Sequence, residues 1–195
     1  MSEPLAYLNG SFQPAATASI SLVDTGFVQG VTITEQLRTF GGRLLHAEPH
    51  FDRLFRSLDL VGLYCGLDRS QMIEIAQQLV AHNHPLLDEG DDLGLAIFVT
   101  PGPYRALAGR DGEPTVGLHT FPLAFSLWAH KYTSGERLAT TRIRQVPNDC
   151  WPAEIKCRSR MHYYLADREA AARQPGARAL LTDGEGYVTE TSTAS

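Results

Sequence analysis

The sequence predicts an α+β fold built mainly on antiparallel sheets. Three observations carry this. Short β-branched segments follow one another through tight-turn signals such as Asn9-Gly10 and Gly41-Gly42. Helical apolar spacing appears in only a few stretches, chiefly residues 48–82 and again after residue 160. Hairpin connections outnumber the crossovers that a doubly wound parallel sheet requires.

Taken in order, "AYLNGSFQPA" reads as a hairpin, because Asn-Gly tolerates the positive backbone angles of a two-residue turn. "VTITEQLRTF" (31–40) alternates and is β-branched, so it is a strand. Gly41-Gly42 turns the chain into "RLLHA". "EPHFDRLFRSLDLVGL" then places Phe51, Leu54, Phe55, Leu58 and Val61 at helical spacing. A second helix is expected over "DRSQMIEIAQQLVAH", with Asp68 or Ser70 as N-cap and Ile73, Ile75, Leu79 and Val80 on one side. "LGLAIFVT" (93–100) and "TVGLHTF" (115–121) read as strands, and "PGPYRALAGRDGEP" between them as a loop on its turn residues. "PLAFSLWAHKYTSGE" has no period, which puts a domain boundary there: 1–122 and 123–195. The second part predicts a strand over "ERLATTRIRQV" (136–146), a loop at "PNDCWP" and a short extended "AEIK". A helix over "RMHYYLADREAAARQ" follows, ending near Pro175-Gly176, then the strands "ARALLTD" and "YVTETSTAS" around "GEG".

Composition narrows the function. The 195 residues are 43% apolar and 20% charged, the balance of a globular protein with a sizeable core. A net charge of −5 without a basic block argues against nucleic acid as a partner. No run of about 18 apolar residues occurs, which argues against a membrane span. The N-terminus lacks a charged-then-apolar signal pattern, so the default expectation is cytoplasmic. Cys65, Cys150 and Cys157 are odd in number and widely spaced, unlike a disulfide framework or a zinc site. His82 and His84, at a helix end, read as a solvated cap rather than metal ligands.

Lys156 stands out. The chain has two lysines, Lys131 and Lys156, and otherwise carries positive charge on arginine. Lys156 falls where an extended segment passes into a loop and then a helix, a place from which a rigid element can aim a side chain. A partly buried lysine loses hydration of its ammonium, and the neutral amine becomes available for an imine bond. The alternative is an ordinary surface lysine at a strand end. Glu190, followed by Thr191, Ser192 and Thr193, is a dense set of acceptors and hydroxyls, or simply a polar strand end. Arg53 sits at the edge of an apolar helix face. It reads either as a snorkelling side chain or as a buried phosphate clamp, for which a planar fork of donors is suited.

These stretches together resemble the class IV aminotransferase family, the fold-type IV enzymes that use pyridoxal phosphate and include branched-chain aminotransferases, D-amino acid aminotransferases and aminodeoxychorismate lyase. The matching segments are "YLNGSF", "DTGFVQG…TEQLRTFGGRLLHAEPHFDRL", "IKCRSRMHYYLADREA" and "DGEGYVTETSTAS", in family order and spanning nearly the whole chain. The resemblance implies a two-domain α+β architecture with pyridoxal 5'-phosphate as cofactor. The implied reaction moves an amino group between an amino acid and a 2-oxo acid. Lys156 would hold the cofactor covalently and move the substrate proton. Glu190 would face the pyridine nitrogen and keep it protonated. Arg53 would bind the phosphate, with Ser192 and Thr193 as further cofactor contacts. The family also implies a homodimer.

The departures bear on substrate. Many members read "GDGVFE" or "GDGVYE" where this chain has "GVTITE", so Thr34 replaces a pocket aromatic and Thr32 a glycine. Pro101 stands where some members carry a carboxylate-binding arginine, and Arg105 is the nearby substitute. Arg158 shares the face of Lys156 in an extended segment and reads equally as a carboxylate binder or as the partner of an acid. The sequence stops soon after Glu190, so the second domain is expected to be incomplete: a fragment, a truncated product or a chain completed by a partner. Two other functions stay open, a carbon–carbon lyase acting on an aminodeoxychorismate-like substrate and a catalytically incomplete relative serving as a binding module.

Overall fold

A computed structural model describes residues 3–193. The chain divides into two units. One runs to Leu123 and takes back Ile155–Ser159; the other comprises Ala124–Glu154 and the chain from Arg160 onward. Ile155–Ser159, and so Lys156, which the sequence places with 123–195, group with the first unit. The physical reason is that its segment lies along a strand edge of that unit.

The first unit is a six-stranded sheet in the order β2-β1-β6-β5-β3-β4, with β1 Leu5–Leu8, β2 Ser11–Pro14, β3 Ile33–Phe40, β4 Arg43–Leu44, β5 Leu93–Thr100 and β6 Thr115–Pro122. Every pairing in it is antiparallel. The β1–β2 turn places Asn9 at φ 49° and Gly10 at φ 95°, the conformation that Asn-Gly predicts. Between strands lie α1 (Thr25–Val28), α2 (Ala47–Val61) and α3 (Arg69–Asn83), and the 101–114 loop holds one helical turn, α4 (Arg105–Ala108). The Asp68 side chain and Gln71 cap α3 reciprocally, so Asp68 rather than Ser70 is the N-cap. Phe51, Leu54 and Leu58 of α2 and Met72, Ala76 and Leu79 of α3 form one core with Ile33, Leu37, Leu95, Ile97, Val99 and Leu118 of the sheet. Ile73 and Ile75, expected on the buried side of α3, are only partly buried against this core.

The second unit holds α5 (Lys131–Ser134), β7 (Leu138–Thr140), α6 (Met161–Arg173), β8 (Arg178–Thr182) and β9 (Val188–Thr191). Its sheet runs β7-β8-β9. The β8–β9 pair is antiparallel, while β7 and β8 are parallel across α6, within a fold expected to be mainly antiparallel. The strand expected over 136–146 shrinks to three residues. The Arg142 N–H donates to the Glu169 carboxylate of α6 instead of to a neighbouring strand, and the ladder stops there. Tyr163, Ala166, Ala170, Ala179 and Leu181 make a smaller, separate core. In "YVTETSTAS", β9 ends at Thr191, and Ala194 and Ser195 lie outside the described residues. Among the described residues no helix is long and apolar enough to cross a membrane, and no group of three or more His, Cys, Asp or Glu stands ready for a metal.

Candidate active site

Lys156 is held by its backbone. Thr34 N–H donates to the Lys156 carbonyl at 2.9 Å, and Arg158 N–H donates to the Thr32 carbonyl at 3.0 Å. Between these bonds Ile33 pairs with Cys157 in antiparallel register. Alternation turns Cys157 toward the core, against which it packs, and leaves Lys156 and Arg158 on the opposite face. The Lys156 N–H also donates to Ser57 Oγ, 3.3 Å away on α2, a residue 1% exposed. The Ser159 hydroxyl donates to the Gly30 carbonyl at 2.8 Å. The lysine is partly buried, and its amine has no hydrogen-bond or ion-pair partner among the described residues. Lys131 differs: its amine is paired with the Glu136 carboxylate.

The other residues singled out in this unit have settled partners. Thr34 is buried and its hydroxyl donates to the Ile97 carbonyl at 2.6 Å. Arg105 is exposed on α4 and pairs with the equally exposed Asp111 at 3.4 Å. The charge of Arg158 bears on His119 of β6. Burial first, and then Arg158, hold that imidazole below its ordinary range, so it is neutral at pH 7.

Arg53 is tied to a buried carboxylate. Its Nε donates to Glu35 Oε2 at 2.8 Å and its Nη2 to Glu35 Oε1 at 2.7 Å, a two-pronged bond. Glu35 is wholly buried on β3, while 44% of the Arg53 side chain remains exposed. His50 Nδ1 lies 3.1 Å from Glu35 Oε1, and the Gln36 N–H donates to the same oxygen at 2.8 Å. Burial alone would raise the Glu35 carboxyl; the Arg53 fork, the Gln36 N–H and His50 together outweigh it and hold the carboxyl below its usual range. Arg53 Nη1 has no partner among the described residues. Sequence reasoning passed over Glu35, although a signal was present: it shares strand parity with Ile33, Leu37 and Thr39, the buried face of β3, so it required a counter-ion.

In the second unit, Glu190 Oε1 accepts hydrogen bonds from the Tyr163 hydroxyl and from Gln145 Nε2, the latter at 2.8 Å. Gln145 Nε2 also donates to Tyr163 Oη at 2.9 Å. Glu190 is partly buried and borders a cavity of about 700 Å3 that Gln145, Asp183 and Thr189 also line. Ser192 is buried, with its carbonyl accepting from Arg160, while Thr193 is exposed and its N–H donates to Thr191 Oγ1 at 3.4 Å. Neither Tyr163 nor Gln145 was singled out from sequence.

The amino-transferase class IV family model matches residues 32–195, and the chain belongs to that family. It is 26% identical over 189 residues to a putative branched-chain-amino-acid aminotransferase of Methanocaldococcus jannaschii, covering 94% of this chain and 61% of that protein. It is 34% identical over 77 residues to a D-alanine aminotransferase of Staphylococcus aureus, covering 40% of this chain and 27% of that one. Among solved structures, the branched-chain aminotransferase of Thermoproteus uzoniensis with norvaline superposes with a TM-score of 0.80 at 21% identity, over 97% of this chain and 63% of the other. A hypothetical aminotransferase from Mycobacterium tuberculosis in its PLP-bound form gives 0.77 at 22%, over 96% and 64%. These structures share the mixed helix and antiparallel-sheet fold. The chain thus spans less than two thirds of the length of each of these relatives.

Proposed function

We propose that the protein catalyses amino-group transfer between an amino acid and a 2-oxo acid with pyridoxal 5'-phosphate as cofactor. The observation that carries this is the contrast between its two lysines. Lys131 is spent in an ion pair, whereas the Lys156 amine has no partner among the described residues and its backbone is held by the Thr34 N–H on one side and Ser57 Oγ on the other. Membership of the class IV family and the PLP-bound relative support the same reading.

Within each unit, the residues assigned to the cofactor keep an atom free for it. Arg53 keeps one guanidinium nitrogen, Nη1, for a phosphate oxygen while Glu35 fixes the rest of the fork. Glu190 keeps Oε2 for a ring nitrogen while its other oxygen is held. When bound, pyridoxal phosphate supplies an electron sink for the bonds at the substrate's α-carbon. The chain's own tasks are then separable. Lys156 Nζ would bind covalently and carry the proton to and from the α-carbon. Glu190 Oε2 would keep a proton on the ring nitrogen. Arg53 would orient the phosphate. The homodimer implied by the family belongs to this proposal.

Pyridoxal phosphate is added to the purified chain, the imine is reduced with borohydride, and the modified peptide is mapped. A label on Lys156 is expected. A label on Lys131, or none, overturns the reading.

A further inference from the structure

We propose that Tyr163 and Gln145 are positioning residues that fix Glu190 so that it offers one carboxylate oxygen in one direction; this rests on the cofactor reading above. Three segments meet at Glu190 Oε1. Gln145 comes from the irregular stretch after β7, Tyr163 from α6, and Glu190 from β9. Gln145 Nε2 bridges Tyr163 Oη at 2.9 Å and Glu190 Oε1 at 2.8 Å, and the Tyr163 hydroxyl donates to that same oxygen.

Each donor is itself held. The Gln145 N–H donates to the Thr182 carbonyl at 2.8 Å, and its Oε1 accepts the Val146 N–H at 3.0 Å. Both ends of the amide are therefore used, and its orientation is determined. The Tyr163 ring is buried, with the Arg160 guanidinium 4.2 Å from its centroid and the His162 ring 4.0 Å away on centroids. Arg160 in turn bonds the Ser192 carbonyl, two residues past Glu190. A carboxylate that faced solvent with two equivalent oxygens would rotate freely about its terminal torsion. Here one oxygen accepts two hydrogen bonds, and Oε2, without a partner among the described residues, is left for a ligand N–H.

The tyrosine remains a donor over the working range. Burial, and then the Glu190 carboxylate it donates to, push its hydroxyl up to about 12. The charged and titratable groups facing it are Glu190, Arg160 and His162. Burial and the neighbouring Arg160 hold His162 below its ordinary range, so it is neutral at pH 7 and adds no competing charge.

The test uses the full chain in two states. In the cofactor-free protein, carbon-13 at tyrosine Cζ is followed by NMR at pH 7. One resonance is expected to be displaced by donation to a carboxylate, to vanish in Tyr163→Phe and to move back toward the others in Glu190→Gln. With pyridoxal phosphate bound, Tyr163→Phe and Gln145→Ala are each expected to shift the pH midpoint of the visible absorption and to lower turnover about tenfold, the worth of one hydrogen bond to a charged group. Cofactor affinity should change less than threefold. Lys156 labelling on the same samples separates the two claims. A label on Lys156 with an unmoved midpoint in both variants overturns the positioning role alone. No label overturns the cofactor reading, and the tyrosine resonance then decides whether Tyr163 holds Glu190. Absence of a displaced resonance overturns the proposal in either case.

Discussion

Glu35 and Arg53 show how one residue's burial fixes another's orientation. Removing either partner breaks the same pair, but the two losses differ. Arg53→Ala strands a carboxylate with no exposure of its own, and an uncompensated buried charge costs about 3–5 kcal/mol. Glu35→Gln leaves a guanidinium that is nearly half exposed and can be rehydrated, so about 2 kcal/mol is expected. Urea denaturation at pH 7 should therefore rank Arg53→Ala as the more damaging change; the reverse order would show that Arg53 is not the principal partner of Glu35. The pair also sets an acid limit. Glu35 in the folded chain lies below its ordinary value of 4.5, so its contribution is complete above that value. It is lost as pH falls through the lower folded value. The stability gap between wild type and Glu35→Gln should close on going from pH 7 toward pH 3.

At the scale of elements, the loop from Pro101 to Pro114 is tied down by the turn at α1. Buried Asp24 caps α1 through the Gly26 N–H at 2.7 Å and accepts the hydroxyls of Thr100 at 2.9 Å and Thr115 at 2.6 Å. Thr25 binds the Gly102 carbonyl through both its N–H and its hydroxyl, each at 2.7 Å. Gly102 itself has φ +80°, and a Cβ there would lie 2.1 Å from the Glu113 carbonyl oxygen. Gly102→Ala meets both a backbone clash and a left-handed conformation that costs a non-glycine residue about 1–3 kcal/mol. A loss of about 3 kcal/mol or more in thermal or urea unfolding is expected. A loss under about 1 kcal/mol would mean that this loop moves aside at little cost and does not anchor the end of β5.

At the scale of the molecule, the two units differ in how much apolar surface they bury. Phe51, Leu54, Met72, Leu79, Leu95, Ile97 and Leu118 are all at or below 1% exposure in the first; in the second, alanines carry much of a smaller core. Burial of a large aliphatic side chain contributes about 1.5–3 kcal/mol, and alanine contributes far less. Native-state hydrogen exchange should find the amides of β3, β5 and β6 slowest and those of β7, β8 and β9 faster by at least tenfold. The Arg158 amide, bonded to Thr32, should exchange with the first unit, although α6 begins three residues later. Exchange of Arg158 together with α6 would overturn the assignment of the lysine segment.

Local chemistry made much of this legible. Asn9-Gly10 forced its hairpin, Asp68 capped its helix, the alternation of 31–40 made a strand, and the spacing of Phe51, Leu54 and Leu58 made an amphipathic helix, because each depends on residues a few positions apart. Lys156 was conspicuous as one of two lysines at an extended-to-helix junction. What sequence left open depended on contacts distant along the chain. Only the tertiary structure returned the Lys156 segment to the edge of β3, more than 120 residues earlier. It gave Arg53 its partner in Glu35 and shortened the 136–146 strand in favour of a bond to Glu169. It also brought Gln145 and Tyr163 onto one oxygen of Glu190. A hydrogen-bond donor in a sequence carries no mark of its acceptor; folding alone decides which buried groups must satisfy one another.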